Sequence, residues 1–173
     1  MKLLVVILSV LTGILGGDYN AKTISAEEQD SLLNSVEASG RYRLECENEE
    51  KIFRHSSVAD WYIVDTMRHT RKQLGKGVNE LTTERVRDAQ MSPNGRYVAF
   101  VIGNNLYIHK CDFGTEVAVT KDVNPDIING VADWLYEEEF GTTALFAWSP
   151  DSKQLAFVKL DETEVPDFSW EEY

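Results

Sequence analysis

Two stretches of the chain contain the same sequence motif in slightly different forms. MSPNGRYVAFV occupies residues 91–101 and WSPDSKQLAFV occupies residues 148–158. In each, Ser-Pro followed by Asn-Gly or Asp-Ser predicts a tight turn, and the apolar, β-rich residues that follow predict a buried strand. A third, degraded copy, EASGRYRLEC at residues 37–46, has the alternation of a half-buried strand. The chain is therefore predicted to consist of repeated β units.

The spacing of the copies predicts an all-β fold, a β-propeller. Aligning Gly40, Gly95 and Ser152 gives spacings of 55 and 57 residues, and a repeat of about 40–50 residues made of short strands is typical of a propeller blade with insertions. Further strands are predicted at DWYIVD, NLYIHK, EVAVT and ALFAW (60–65, 105–110, 116–120 and 144–148). We expect two to three blades over residues 37–173. An open arc leaves strand edges uncovered, so this sequence is expected to be part of a larger propeller.

The first 36 residues lie outside the repeat. Residues 1–17 combine a Lys near the start with an apolar run shorter than the ~20 residues that usually span a bilayer. A cleaved secretory signal peptide is therefore favoured over an uncleaved membrane anchor, and the protein is expected to be secreted or periplasmic. Residues 18–36 form a polar, helix-tolerant lead-in, with Ser25 a candidate N-cap and Glu28 its capping-box partner.

Charge and cysteine content argue against several classes of function. The formal net charge is -12, from 29 acidic and 17 basic side chains, and nucleic-acid binding is not expected because phosphate contacts need patches of Lys and Arg. Cys46 and Cys111 are too few for a disulfide scaffold, and isolated thiols packed as small hydrophobic groups are favoured over a bridge. No CxxC or HExxH pattern occurs, so no metal site and no cofactor are predicted.

The segment NGVADWLYEEEFG at 129–141 places Glu137, Glu138 and Glu139 in a row beside aromatic residues. Adjacent carboxylates repel one another, and partial burial adds to that cost. Either the run is a solvated acidic patch or it is a socket for a cation. Successive strand residues point to opposite faces, so two neighbouring glutamates can converge on one cation only from a helical turn or an irregular backbone. A short helix capped by Asp133 is predicted here.

Several segments together resemble the propeller domain of the dipeptidyl peptidase IV family, in the prolyl oligopeptidase clan, and its bacterial members most. They are KIFRHSS, DIINGVADWLYEEEFG and WSPDSKQLAFVKLDETEVPDFSW, and the likeness extends from Gly40 to Tyr173. The resemblance implies a serine exopeptidase that removes N-terminal dipeptides with Pro or Ala in second position. In that family an eight-bladed propeller covers an α/β-hydrolase domain, and full-length members are often homodimers.

The resemblance also implies substrate-binding roles for three residues. Glu138 and Glu139 would hold the free α-ammonium of a peptide substrate, and Arg54 in FRHSS would contact the carbonyl of its first residue. The alternative for Arg54 is an ordinary salt bridge with the acidic residues around it. Glu137 is expected to be either structural or exposed. The neighbouring His55 receives no catalytic role, because a lone histidine more often packs or hydrogen-bonds. Core or wall positions are expected for three aromatic residues, Trp134, Tyr136 and Trp148.

The chain has no G-x-S-x-G nucleophile elbow. No α/β-hydrolase domain is therefore expected within it, and no catalytic residue is assigned. The enzymatic hypothesis is that it forms the N-terminal propeller portion of a dipeptidyl peptidase. The alternative is a non-catalytic module that binds peptide N-termini or protein partners, and a third hypothesis is a propeller scaffold without any peptide role.

Overall fold

The computed structural model describes residues 2–9, 40–76 and 84–166. Within these ranges the chain forms eleven strands and one short helix. The strands are β1 (Lys2–Ser9), β2 (Tyr42–Lys51), β3 (Ser57–Asp65), β4 (Thr70–Gln73), β5 (Val86–Met91), β6 (Tyr97–Ile102), β7 (Asn105–Lys110), β8 (Thr115–Ala118), β9 (Ile127–Asn129), β10 (Phe146–Trp148) and β11 (Gln154–Asp161). The helix, α1, spans Trp134–Phe140 and lies between β9 and β10.

The strands form three antiparallel units that follow one another along the chain. Strands β5 to β8 make a four-stranded meander. The β2–β3–β4 unit precedes it and joins it through the pair Ala59 and Val86. In the third unit β11 pairs with both β9 and β10. The predicted fold, a partial β-propeller with a short helical insertion carrying the glutamates, is confirmed.

The strands predicted between the repeated motifs are present. NLYIHK coincides with β7, and DWYIVD forms the second part of β3. EVAVT overlaps β8, while in ALFAW only the last three residues form β10 and Ala144 makes an isolated bridge to Val131. The backbone of β1 runs antiparallel along all of β11, from Lys2 opposite Asp161 to Ser9 opposite Gln154.

Some predictions for the N-terminal part stay open. The candidate helix of the lead-in, with Ser25 and Glu28, lies outside the described residues. The signal peptide over residues 1–17 remains a prediction. Among the described residues, no helix is both long enough and apolar enough to cross a bilayer.

The central strand β6 is buried on both faces. Val98, Phe100 and Ile102 belong to a core shared with residues of the β2–β4 unit, including Ile63. Ala99 and Val101 point the other way, into a second core built with Val131, Phe146, Leu155 and Phe157. Alternate side chains of a strand lie on opposite faces, so this one strand packs against both neighbouring units. Burial of apolar surface is the main force that holds the three units together.

The two repeat turns have the same hydrogen-bond pattern. The Ser92 hydroxyl donates to Asn94 Oδ1 at 2.9 Å, and the Ser149 hydroxyl donates to Asp151 Oδ1 at 2.7 Å. Each hydroxyl also accepts the backbone N–H of the first residue of the following strand, at 3.0 Å for β6 and 2.9 Å for β11. The Ser-Pro motif therefore fixes the geometry of the turn that leads into a buried strand.

The two turns also contact each other. Ser152, which is buried, accepts the backbone N–H of Asn94 through its hydroxyl at 2.9 Å. Ser152 and Gly95 occupy equivalent turn positions and have positive φ angles of 58° and 67°. Glycine adopts this left-handed conformation at no steric cost, whereas in serine the Cβ atom makes it unfavourable. The third unit therefore keeps a strained serine where its hydroxyl bonds to the neighbouring turn.

The cysteine prediction is confirmed in one respect and wrong in another. Both thiols are free, and Cys111 is buried, but Cys46 is exposed rather than packed. The alternation of β2 buries Tyr42 and half-buries Leu44, but the strand is exposed from Cys46 onward. Only the first part of β2 faces the core, which a period-two sequence pattern does not reveal.

A buried acid–base pair joins β7 to β8. His109 is buried, and its Nδ1 lies 3.3 Å from Oε1 of Glu116, whose side chain is 3% exposed. The same oxygen accepts the backbone N–H of Gly75 at 3.1 Å. Burial by itself raises the pKa of Glu116, but the hydrogen bonds from His109 and Gly75 outweigh it, so that the pKa lies below its ordinary value.

Substitutions at Ser152 test the contact between the two turns. Ser152→Ala leaves the Asn94 N–H without its partner and keeps the left-handed strain, so the free energy of unfolding should fall by about 1–2 kcal/mol. Ser152→Gly loses the same bond but relieves about 1 kcal/mol of that strain. Urea denaturation should therefore rank the glycine variant above the alanine variant. The reverse order would contradict this account.

The carboxylate of Glu116 should make stability depend on acid pH. Its lowered pKa contributes stability above the ordinary glutamate pKa of about 4.3, and that stability is lost as the pH falls through the folded-state value. Glu116→Gln should therefore lose less stability than the unmodified chain between pH 7 and pH 3, as measured by urea denaturation. Glu47→Gln, an exposed position on β2, serves as the control. Equal acid-dependent losses in the Glu116→Gln variant and the unmodified chain would disprove the assignment.

Candidate functional site

Helix α1 begins and ends with capping residues that its sequence supplies. Asp133 is the N-cap, with extended backbone angles of φ -75° and ψ 174°, and its Oδ1 accepts the Tyr136 N–H at 2.8 Å. Gly141 is the C-cap, with a left-handed φ of 64°. Seven residues are too few for a helix to be stable in isolation, so both caps and tertiary contacts are needed. The predicted short helix and its Asp133 cap are confirmed.

The helix separates the three consecutive glutamates into different environments. Glu137 is fully buried and is the one buried residue of α1. The Glu138 side chain is 15% exposed, and Glu139 is exposed. Successive helix residues are rotated by about 100°, so the run cannot present all three carboxylates to the same surroundings. Of the two alternatives for Glu137, the structural one applies.

Arg54 and Glu138 are brought together although 84 residues separate them. Arg54 lies in the segment 52–56 between β2 and β3, here called the Arg54 loop. Its backbone N–H donates to Glu138 Oε1 at 3.2 Å, and its Nε lies 3.6 Å from Glu138 Oε2. The Arg54 side chain is 74% exposed, and the adjacent His55 is exposed as well. The loop therefore holds Glu138 mainly through its backbone and leaves the guanidinium accessible.

Two further residues, which the sequence patterns did not single out, bind Glu137. The buried Ser56 hydroxyl donates to Glu137 Oε2 at 2.6 Å. Arg87 of β5 forms an ion pair through Nη2 with the other carboxylate oxygen, Oε1. Burial lowers the pKa of Arg87 from its ordinary value, but an arginine remains charged in proteins. Ser56 could have been found from the sequence, because it belongs to the FRHSS segment that carries the family resemblance. Arg87 could not, because no sequence pattern distinguishes it from the other residues of its strand.

The next residue of β5 contacts the chain just after the helix. Asp88 Oδ1 accepts from the Thr143 hydroxyl at 3.4 Å. Burial raises the pKa of Asp88, and the charge of Arg87 and the Thr143 contact oppose that rise. Strand β5 therefore contacts the insertion at two points, at Glu137 within α1 and at Thr143 beyond it.

The aromatic residues differ in their burial. Trp134 and Phe140 are 59% and 69% exposed, so Trp134 is not a core residue. Tyr136 is half-buried, with its ring centroid 5.6 Å from that of Phe140. Trp148 is half-buried, stacks on Tyr97 and packs against the second core, as expected for a wall residue. The helix turns Glu137 inward, while three of its apolar side chains, Trp134, Leu135 and Phe140, remain exposed.

The arrangement is suited to binding a cation. Glu138 is partly shielded from solvent, Glu139 is one residue further along the helix, and both are acceptors of hydrogen bonds when ionised. Among the described residues, no group of three or more His, Cys, Asp and Glu side chains could hold a metal ion.

Substitutions of Asp133 test the capping of α1. Asp133→Ala removes the acceptor of the Tyr136 N–H and should cost about 1 kcal/mol of local helix stability. Amide hydrogen exchange at Tyr136 and Glu137 should become faster. Asp133→Asn keeps a side-chain acceptor and is the matched control. If exchange is equally fast in both variants, the cap does not stabilise the helix.

Several known proteins resemble this chain in sequence or structure. A family model described as the dipeptidyl peptidase IV (DPP IV) N-terminal region matches residues 37–173. A Schizosaccharomyces pombe protein named as a dipeptidyl aminopeptidase is 37% identical over 140 residues, 80% of this chain and 17% of the relative. The dipeptidyl-aminopeptidase B of Aspergillus niger is 38% identical over 125 residues, 72% of this chain and 14% of the relative.

A solved structure gives the same result. The crystal structure of Porphyromonas gingivalis dipeptidyl peptidase 4 superposes with a TM-score of 0.66 and is 44% identical, covering 75% of this chain and 18% of that one. The chain thus spans less than a fifth of the length of each of these proteins. The chain belongs to the dipeptidyl peptidase IV family and corresponds to its N-terminal region.

Proposed function

We propose that this chain is the N-terminal propeller portion of a secreted or periplasmic serine-type dipeptidyl peptidase that removes X-Pro and X-Ala dipeptides. Glu138 and Glu139 bind the α-ammonium of the peptide, and Arg54 binds the carbonyl of its first residue. The observation that carries the proposal is the contact of Arg54 with Glu138, a residue of the short capped helix α1. Membership of the family supports the same conclusion.

The environment of Glu138 favours an ammonium ligand over a neutral one. Its side chain is 15% exposed, and charge-assisted hydrogen bonds gain strength where water is partly excluded. A peptide with a free amine supplies a positive charge and three N–H donors. A blocked or internal peptide supplies neither and leaves the carboxylates without their partner. The pair of glutamates therefore selects peptides whose free N-terminal amine lies at the site.

Arg54 contributes in two ways. Its charge lies near Glu138 and offsets part of the repulsion between neighbouring carboxylates. Its guanidinium is 74% exposed and retains N–H donors for a carbonyl oxygen. Because the backbone N–H holds Glu138 independently, the side chain can turn toward a substrate without releasing the glutamate.

The role of Arg54, Glu138 and Glu139 in proteolysis is to position the substrate. The amine would be fixed at a set distance from a nucleophile on an α/β-hydrolase domain, which we propose as its partner in the full-length protein. Holding the reacting groups in place can contribute several kcal/mol to catalysis. Homodimerisation of the full-length protein is part of the same proposal.

A double substitution tests the ammonium site. In the protein expressed from its complete reading frame, Glu138→Gln with Glu139→Gln should abolish the preference for Ala-Pro over N-acetyl-Ala-Pro, measured by calorimetry. The unmodified protein should bind the free amine at least about tenfold more tightly, because a charge-assisted contact contributes about 1.5–3 kcal/mol.

The matched control is Glu49→Gln with Glu50→Gln, a pair of adjacent exposed glutamates on β2. It removes the same charge from a different surface and should leave the preference intact. Equal affinity of the unmodified protein for both ligands would refute the proposed function. Release of Ala-Pro from a longer peptide then separates an enzyme from a module that only binds peptide N-termini.

A further inference from the structure

Helix α1 is held in the fold by a charged side chain. Glu137 is its one buried residue, while Trp134, Leu135 and Phe140 are between 48% and 69% exposed. Short amphipathic helices are usually fixed by an apolar face, and apolar contacts are non-directional. Hydrogen bonds and ion pairs depend on angle as well as distance. The orientation of α1 about its own axis therefore depends on the contacts of its carboxylates, those of Glu137 above all.

One of those contacts leads directly to the Arg54 loop. The Ser56 hydroxyl donates to Glu137 Oε2 at 2.6 Å, and the Arg54 N–H donates to Glu138 Oε1 at 3.2 Å. Glu137 and Glu138, which are consecutive in the helix, thus bind Ser56 and Arg54, which lie two positions apart in the loop. Two such contacts restrict rotation of the helix against the loop, which a single contact would allow.

The second contact comes from a different unit of the fold. Arg87 of β5 pairs with Glu137 Oε1 and neutralises the buried charge. Without it, a buried and unpaired carboxylate would favour movement of the helix toward water. With it, Glu138 and Glu139 are the carboxylates of the run left to bind Arg54 and a ligand. The ion pair therefore anchors the helix to β5 while the Ser56 bond sets its orientation against the loop.

We propose that Glu137, held by Ser56 and Arg87, is a positioning residue that fixes the two ligand-binding glutamates relative to Arg54. The inference rests on the proposed function, because it concerns how that ammonium site is built. Glu137 touches no ligand itself. Loosening its contacts should weaken recognition of the peptide amine without unfolding the protein.

The test uses two ligands that differ only in the ammonium group, Ala-Pro and propionyl-proline. In the protein expressed from its complete reading frame, Ser56→Ala keeps the Glu137–Arg87 ion pair and removes the bond that orients the helix. The ratio of the two dissociation constants should fall about five- to tenfold, as expected for a lost hydrogen bond to a charged group. A merely structural loss would reduce the folded fraction and leave the ratio unchanged.

A control and a second variant complete the design. Ser57→Ala removes the neighbouring hydroxyl, which binds Glu49 instead, and should keep the unmodified ratio. Glu137→Gln alone leaves Arg87 buried without its counter-charge and is prone to misfold. Glu137→Gln combined with Arg87→Met removes both charges and should also lower the ratio.

The outcomes separate this inference from the proposed function. If the unmodified protein does not prefer Ala-Pro over propionyl-proline, the ammonium site itself is wrong. If it does, and both Ser56→Ala and the double variant keep that preference, the positioning role is overturned. A reduced ratio in either variant, with Ser57→Ala unchanged, supports it.

Discussion

The burial of β6 on both faces is the constraint on which the rest of the structure depends. Residues Val98 to Ile102 are each at most 5% exposed, because one face packs on the β2–β4 unit and the other on the unit that contains β11. The candidate site takes its parts from all three units. The Arg54 loop comes from the first, Arg87 from the meander and the glutamates from the third, so the site exists only because β6 holds these units in register.

Electrostatics explains how an acidic run can be tolerated at this junction. One carboxylate of the run is buried against Arg87 and Ser56, one is held by the Arg54 loop, and one is exposed to water. Desolvation of the first is offset by a counter-ion and a hydrogen bond, as buried charges require. The outer two retain their capacity to accept hydrogen bonds. Three adjacent glutamates therefore do three different things.

Local chemistry made much of the fold predictable. The Ser-Pro turns, strand β7, and the helix capped by Asp133 all depend on residues within a few positions of one another. The errors concern burial. Cys46 was expected to be packed and is exposed, and Trp134 is not in the core, because the end of β2 and the outer side of α1 have no opposing layer among the described residues. Periodicity shows which side chains share a face, but it does not show whether another element covers that face.

The sequence by itself determined the repeat, the turn chemistry, the helix with its caps and the family to which the chain belongs. Each of these is written in short contiguous patterns, where backbone geometry is set by near neighbours. Only the tertiary structure decided that Glu137 is the buried member of the run and that Ser56 and Arg87 bind it. Those partners lie 81 and 50 positions away along the chain, and only the packing of the units around β6 brings them together.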